Sequence, residues 1–251
     1  MQSRTFAQIG FGIAALTLGI LARPVSAQTI VSPNFDAVTE GDTNNAFPFN
    51  YNHSARYQQV YAASEFGALT GPTLITQIAF RPDAGSGAAF STAFSNIQFD
   101  LSTTSAAPHT LSATFASNVG ADDTVVRSGA VTLASAFIGP AGGPKNFDVL
   151  ITLTTPFLYN PANGSLLLDI RKFSAESIGT QLDAQDFNSA TSREFGTDVN
   201  DASANQNIGT DTGLVTQFTF AAAVPEPGAM SLLLGFSVTG IGLYSRRRAR
   251  R

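Results

Sequence analysis

The chain has 251 residues, no cysteine, no tryptophan, 20 phenylalanines and a formal net charge of −4. Without cysteine, disulfides, zinc–thiolate sites and thiol nucleophiles are excluded. Seven of the 14 basic residues sit in the first 27 and last 28 positions, leaving seven basic against 17 acidic residues between them, a net of −10 that repels nucleic acid and favours cations.

The N-terminus carries Arg4, an apolar stretch over 9–21, and then Pro24-Val25-Ser26-Ala27. A basic start, a short apolar core and small residues form a secretory signal peptide, residues 1–27, which engages the secretion translocon and signal peptidase. Cleavage is expected between Ala27 and Gln28, with Val25 and Ala27 in the two small-residue positions. An uncleaved N-terminal anchor is the alternative, although the apolar core is short for a full span.

Residues 28–223 suit one exported domain, long enough to bury roughly 70% of the surface its unfolded chain exposes. Residues 28–50 are expected to pair as an edge strand or stay mobile. Apolar and polar residues then alternate: Leu74, Thr76, Ile78 and Phe80; Ile97, Phe99 and Leu101; Phe147, Val149, Ile151 and Leu153; Leu166, Leu168 and Ile170; Leu214, Thr216, Phe218 and Phe220. Period two with one buried face indicates antiparallel strands. Turn signals separate them, among them Pro82-Asp83-Ala84-Gly85 and Pro161-Ala162-Asn163-Gly164. Strands are predicted near 57–62, 74–80, 94–103, 111–116, 124–134, 146–155, 165–173, 178–183 and 214–222. Residues 57–66 could instead form a short helix, and long polar loops are predicted over 184–213. The fold class is all-β: an antiparallel two-sheet sandwich, jelly-roll-like.

Candidate chemistry is sparse. His53 and His109 are the only histidines and read as solvated loop residues; no nucleophile elbow accompanies them, since Gly85-Ser86-Gly87 has the wrong spacing. Asp183, Asp186, Asp198, Asp201 and Asp211 fall in one loop-rich region with Asn188, Asn200, Asn205 and Asn207. Such oxygen ligands suit calcium, but no EF-hand spacing is present, so no cofactor is expected and calcium stays the one alternative. A glycosidase pair could be drawn between any two of 17 acids, so it carries no positive signal. Asp122-Asp123 reads as a turn.

The last 28 residues carry the strongest pattern. Val224-Pro225-Glu226-Pro227 precedes an uncharged run over 228–245, then Arg246, Arg247, Arg248, Arg250 and Arg251. Eighteen residues at about 1.5 Å each make roughly 27 Å of helix, near the thickness of a bilayer core. Five terminal arginines hold that end in the cytoplasm, which places the preceding chain outside it. The prolines would stop helix from extending upstream.

This arrangement resembles the PEP-CTERM sorting signal of exported bacterial proteins. The resemblance implies recognition of Val224–Pro227 by an exosortase-type membrane protease, cleavage near the motif, and release or transfer of the product from a single-pass inner-membrane intermediate to the cell surface or beyond. It also implies a setting rich in exopolysaccharide, a further candidate partner. Arg56–Tyr61, Ile75–Pro82, Pro156–Tyr159 and Leu166–Arg171 are similar to a recurrent β-sandwich ectodomain of such proteins, which brings fold and context but no activity. The expected role is therefore non-enzymatic: an exported cell-surface or extracellular-matrix protein, structural or adhesive. The alternative is a secreted carbohydrate-binding or carbohydrate-active module, which exposed aromatic rings beside two carboxylates in a groove would favour.

Overall fold

Alternation becomes antiparallel sheet in the computed structural model, which describes residues 27–205 and 211–222. The strands are, in chain order, β1 (Gln28–Ser32), β2 (Thr43–Asn45), β3 (Ala55–Tyr61), β4 (Thr73–Phe80), β5 (Phe90–Thr104), β6 (Thr124–Ser135), β7 (Val149–Tyr159), β8 (Ser165–Lys172), β9 (Leu182–Gln185), β10 (Thr191–Gly196), β11 (Gly213–Leu214) and β12 (Thr216–Ala222). One sheet has the order β1-β12-β4-β7, a second β10-β3-β8-β5-β6, and a small third β11-β9-β2. Every strand pairing is antiparallel. Among the described residues no helix is long and apolar enough to cross a membrane.

The two larger sheets share one core, consistent with a β-sandwich. Ile75, Ile78, Val149, Ile151, Phe218 and Phe220 face inward from the four-stranded sheet. They meet Tyr57, Tyr61, Ile97, Phe99, Leu166 and Leu168 from the five-stranded one. One flank is closed by β6 against β7, where Thr154 Oγ1 donates to the Val126 carbonyl at 3.1 Å. On the other flank the 3-10 turn Ala63–Phe66 inserts Phe66, whose ring lies 5.0 Å from Tyr159 and 5.6 Å from Phe218. The turn from β7 to β8 needs Gly164: its φ is +146°, and a Cβ there would sit 2.5 Å from the Thr104 carbonyl.

Register fixes the ends of the four-stranded sheet. Gln28 lies opposite Phe220, Ala222 opposite Thr73, and Thr73 opposite Tyr159. The start of β1 and the end of β12 therefore leave from the same end. Ser32, Thr216, Phe80 and Val149 line up at the other.

Several expectations change. Residues 111–116 form no strand; they hold only an isolated bridge, Thr114 to Ser203, and the start of the 3-10 turn Phe115–Ser117. The expected loop region 184–213 contains β10, paired along β3. The short-helix alternative for 57–66 resolves into strand through Tyr61 and then a single 3-10 turn. The expected strand 178–183 begins later, at Leu182, and 214–222 divides between β11 and β12, which belong to different sheets. Residues 28–50 supply the edge strand β1 and the short β2.

Candidate functional site

Val224, Pro225, Glu226, Pro227, the apolar run and the arginine cluster lie outside the described residues, as do residues 1–26 and Asn207. Ala27, at the expected cut, is exposed, and Gln28 is the first residue of β1.

The acidic residues of 183–211 do not form a single group. Asp183 is fully buried in β9. Asp186 accepts from Thr212 Oγ1 at 3.0 Å, and Asp198 accepts from Asn200 and Ser54. Those bonds hold the exposed Asp198 carboxyl below its ordinary pKa, the backbone N–H of Asn200 contributing most. Asp201 accepts from the Asp198 backbone N–H at 2.9 Å. Asp211 lies 2.8 Å from His109 Nδ1, while His109 Nε2 lies 2.6 Å from the Asn188 carbonyl. His109 is thus a clasp between loops, with both ring nitrogens engaged, rather than a freely solvated residue. His53 is exposed, and its ring lies tilted by 52° against Tyr51, with centroids 5.3 Å apart.

The densest ionisable group was not anticipated from sequence. It sits beyond Phe80, at the end of the four-stranded sheet opposite the two chain exits. Arg81 is buried and its Nη2 lies 2.6 Å from Asp183 Oδ2, with Nε equally close. The same guanidinium donates to the Thr39 carbonyl and packs over the Phe147 ring at 4.7 Å. Glu40 and Asp83 bring carboxylate oxygens to within 4.8 Å of Asp183. Asp83 Oδ1 accepts from Ser86 N, Ser86 Oγ and Gly85 N, which fixes the 83–86 turn. Glu40 Oε1 accepts from Ala84 N at 2.6 Å, and its Oε2 has no hydrogen-bond partner among the described residues. Gly41 lets the chain pass here: a Cβ would lie 2.1 Å from the Ala184 carbonyl, and the Gly41 N–H reaches Asp183 Oδ1 at 3.0 Å. Burial pushes Asp183 up to about 7 against the pull of Arg81, and burial likewise raises neighbouring Asp36 to about 6. Chemically this is a cationic guanidinium ringed by carboxylates, and Arg81 supplies positive charge where a metal ion otherwise would. The donor set fits a divalent cation only in part, since most of its oxygens already accept hydrogen bonds.

A second polar group lies on the outer face of the five-stranded sheet. Asp100 and Asp169 are directly opposite on β5 and β8. Asp169 accepts from Arg56 Nη2 at 2.6 Å and Gln58 Nε2 at 2.8 Å. Burial raises Asp100 to about 6, although Gln98 bonds both its oxygens. Gln58 also donates to the Phe115 carbonyl and accepts from Asn118, so residues 112–118 are held down over this face. Both carboxylates are 2% exposed. A sealed pair cannot flank a sugar; Asp169 instead holds Gln58, the residue that docks the covering segment.

Tyr57, Tyr61 and Tyr159 are buried in the core. The exposed rings of Phe35, Phe173 and Phe187 stand on separate connections. Two surface grooves, one beside Leu150 and Thr152 and one beside Thr29 and Ser64, are lined without an aromatic ring.

No family model matches the chain, and no curated protein or solved structure matches it.

Proposed function

We propose that this is an exported surface protein of structural or adhesive role, carried through the secretion translocon, trimmed by signal peptidase, and sorted by its C-terminal tail through an exosortase-type membrane protease. The observation that carries the reading is the reach of the strands. β1 begins at Gln28, the residue after the expected cut, and β12 extends to Ala222, the last described residue, two positions before Val224. A self-contained body spanning the distance between two sorting signals is what processing at both ends requires. Strand order supports a jelly-roll reading of that body: β1-β12-β4-β7 against β3-β8-β5-β6, with β10 added at one edge.

A non-enzymatic role is supported by the engaged His109 ring and the covered Asp100–Asp169 pair. The carbohydrate alternative called for exposed rings beside carboxylates in a groove, and the grooves beside Leu150 and Ser64 lack them.

The test is intact mass and fractionation of the protein from its native host, beside a Pro225→Ala, Glu226→Ala, Pro227→Ala variant. The wild-type product should begin at Gln28, lack the arginine cluster and leave the inner membrane, while the variant stays behind. A full tail persisting in the wild-type inner membrane, with a sorting enzyme present, would reduce the tail to a plain anchor and sink the sorting reading.

A further inference from the structure

We infer that the end of the four-stranded sheet where β1 begins and β12 ends is a bilayer-facing surface, seated against the lipid headgroup layer, and that the acidic end around Arg81 points away from it. This rests on the reading of residues 228–245 as a membrane anchor and goes beyond it. An anchor alone does not say which way the body faces.

Two observations set the orientation. First, Gln28 and Phe220 are register partners, so the N-terminal and C-terminal connections leave the body side by side on adjacent strands. The tail therefore continues from the same end of the body at which β1 begins. Second, the C-terminal tether is short. Five residues, 223–227, separate Ala222 from the apolar run, and at about 3.3–3.6 Å per extended residue they reach roughly 18 Å at most. The body is thus held near the bilayer by this end once the signal is removed.

The absence of cysteine gives a clean background for site-specific probes. Ala162, between β7 and β8, marks the exit end, and Ala141, in the connection before β7, marks the other; both are exposed. β7 has 11 residues, so the two ends stand roughly 35 Å apart along it. The chain from Gln28 to Arg251, carrying either Ala162→Cys or Ala141→Cys and a bimane label, is reconstituted into phosphatidylethanolamine–phosphatidylglycerol vesicles. Nitroxide attached to lipid headgroups serves as a short-range quencher. Fluorescence should be lost from A162C and kept by A141C. Thr70→Cys and Ala88→Cys, the latter in the connection from β4 to β5, form a second exposed pair, read in the same way if either first variant fails to fold. Equal loss from both ends, loss confined to the Arg81 end, or no loss at either end of vesicle-bound protein would overturn the orientation while leaving the anchor standing. Protein that does not float with the vesicles at all would overturn the anchor reading, and the orientation with it.

Discussion

Asp36, Asp100 and Asp183 share one physical cause for their behaviour: each is buried, and burial penalises the charged form. Their carboxyls are raised to about 6, about 6 and about 7 from an ordinary 3.8. Between the ordinary and the raised value the folded chain holds protons that the unfolded chain has released, so folding stability falls as pH climbs through that window. Glu65, Asp123 and Glu194, also raised by burial, push the same way. Glu176 is lowered to about 2, first by the neighbouring Ser174 side chain, and acts only below its ordinary 4.5. Lys172, lowered to about 8 by burial, acts only above that value. The expected outcome is a higher urea midpoint at pH 5 than at pH 7.5, with Asp183→Asn flattening the slope. A midpoint that rises over that interval in the wild type would show that the ion pair with Arg81 outweighs burial.

The 3-10 turn Ala63–Phe66 closes the flank of the sandwich with one residue. Phe66 is fully buried and packs edge-on against Tyr159, Phe218 and Phe220 from β7 and β12. Phe66→Ala should cost about 3–5 kcal/mol in chemical denaturation, because the facing strands are pinned by their ladders and cannot collapse into the space. A loss under about 1 kcal/mol would mean that the flank repacks freely. How well each element could be read from sequence follows from how it is buried. β4, β6 and β8 came close to their predicted limits, whereas β5 begins four residues before the expected 94 and meets β6 through two register irregularities. β7 ran on past the expected 155 through Pro156, which an edge strand tolerates, opposite a register irregularity between Ile75 and Gln77. β10 was missed because Thr191-Ser192-Arg193-Glu194-Phe195-Gly196 has no apolar alternation; it is covered on both sides and held by the β3 ladder. Residues 111–116 misled in the opposite direction, since their side of the sheet is attached through Gln58 and Asn118 rather than by backbone pairing. The Arg81 group was illegible for a related reason: Arg81 and Asp183 are 102 positions apart, and only strand pairing brings them together.

At the scale of the whole chain, on the proposed export reading, the first strand to emerge from a translocon is the last that can be completed. β1 is an edge strand with β12 as its sole ladder partner, and Gln28 pairs with Phe220 across nearly the full length of the body. Closing a loop of that length costs entropy that nearby contacts cannot repay early, so the β1–β12 pairing is expected late in folding. On that reading the bond between Ala27 and Gln28 meanwhile stays in unpaired chain, open to signal peptidase while the remainder is still crossing the membrane. Cleavage should therefore be independent of the C-terminal strands. A chain truncated after Thr212 lacks β11 and β12, which leaves Ile75 and Ile78 without their partners Phe220 and Phe218. That chain should still yield a product beginning at Gln28, at the wild-type rate in a pulse-chase, and its body should then be degraded within the periplasm. If truncation slows or abolishes the cut, docking of β1 on β12 comes before processing, and the folded exit end rather than the extended chain is what signal peptidase meets.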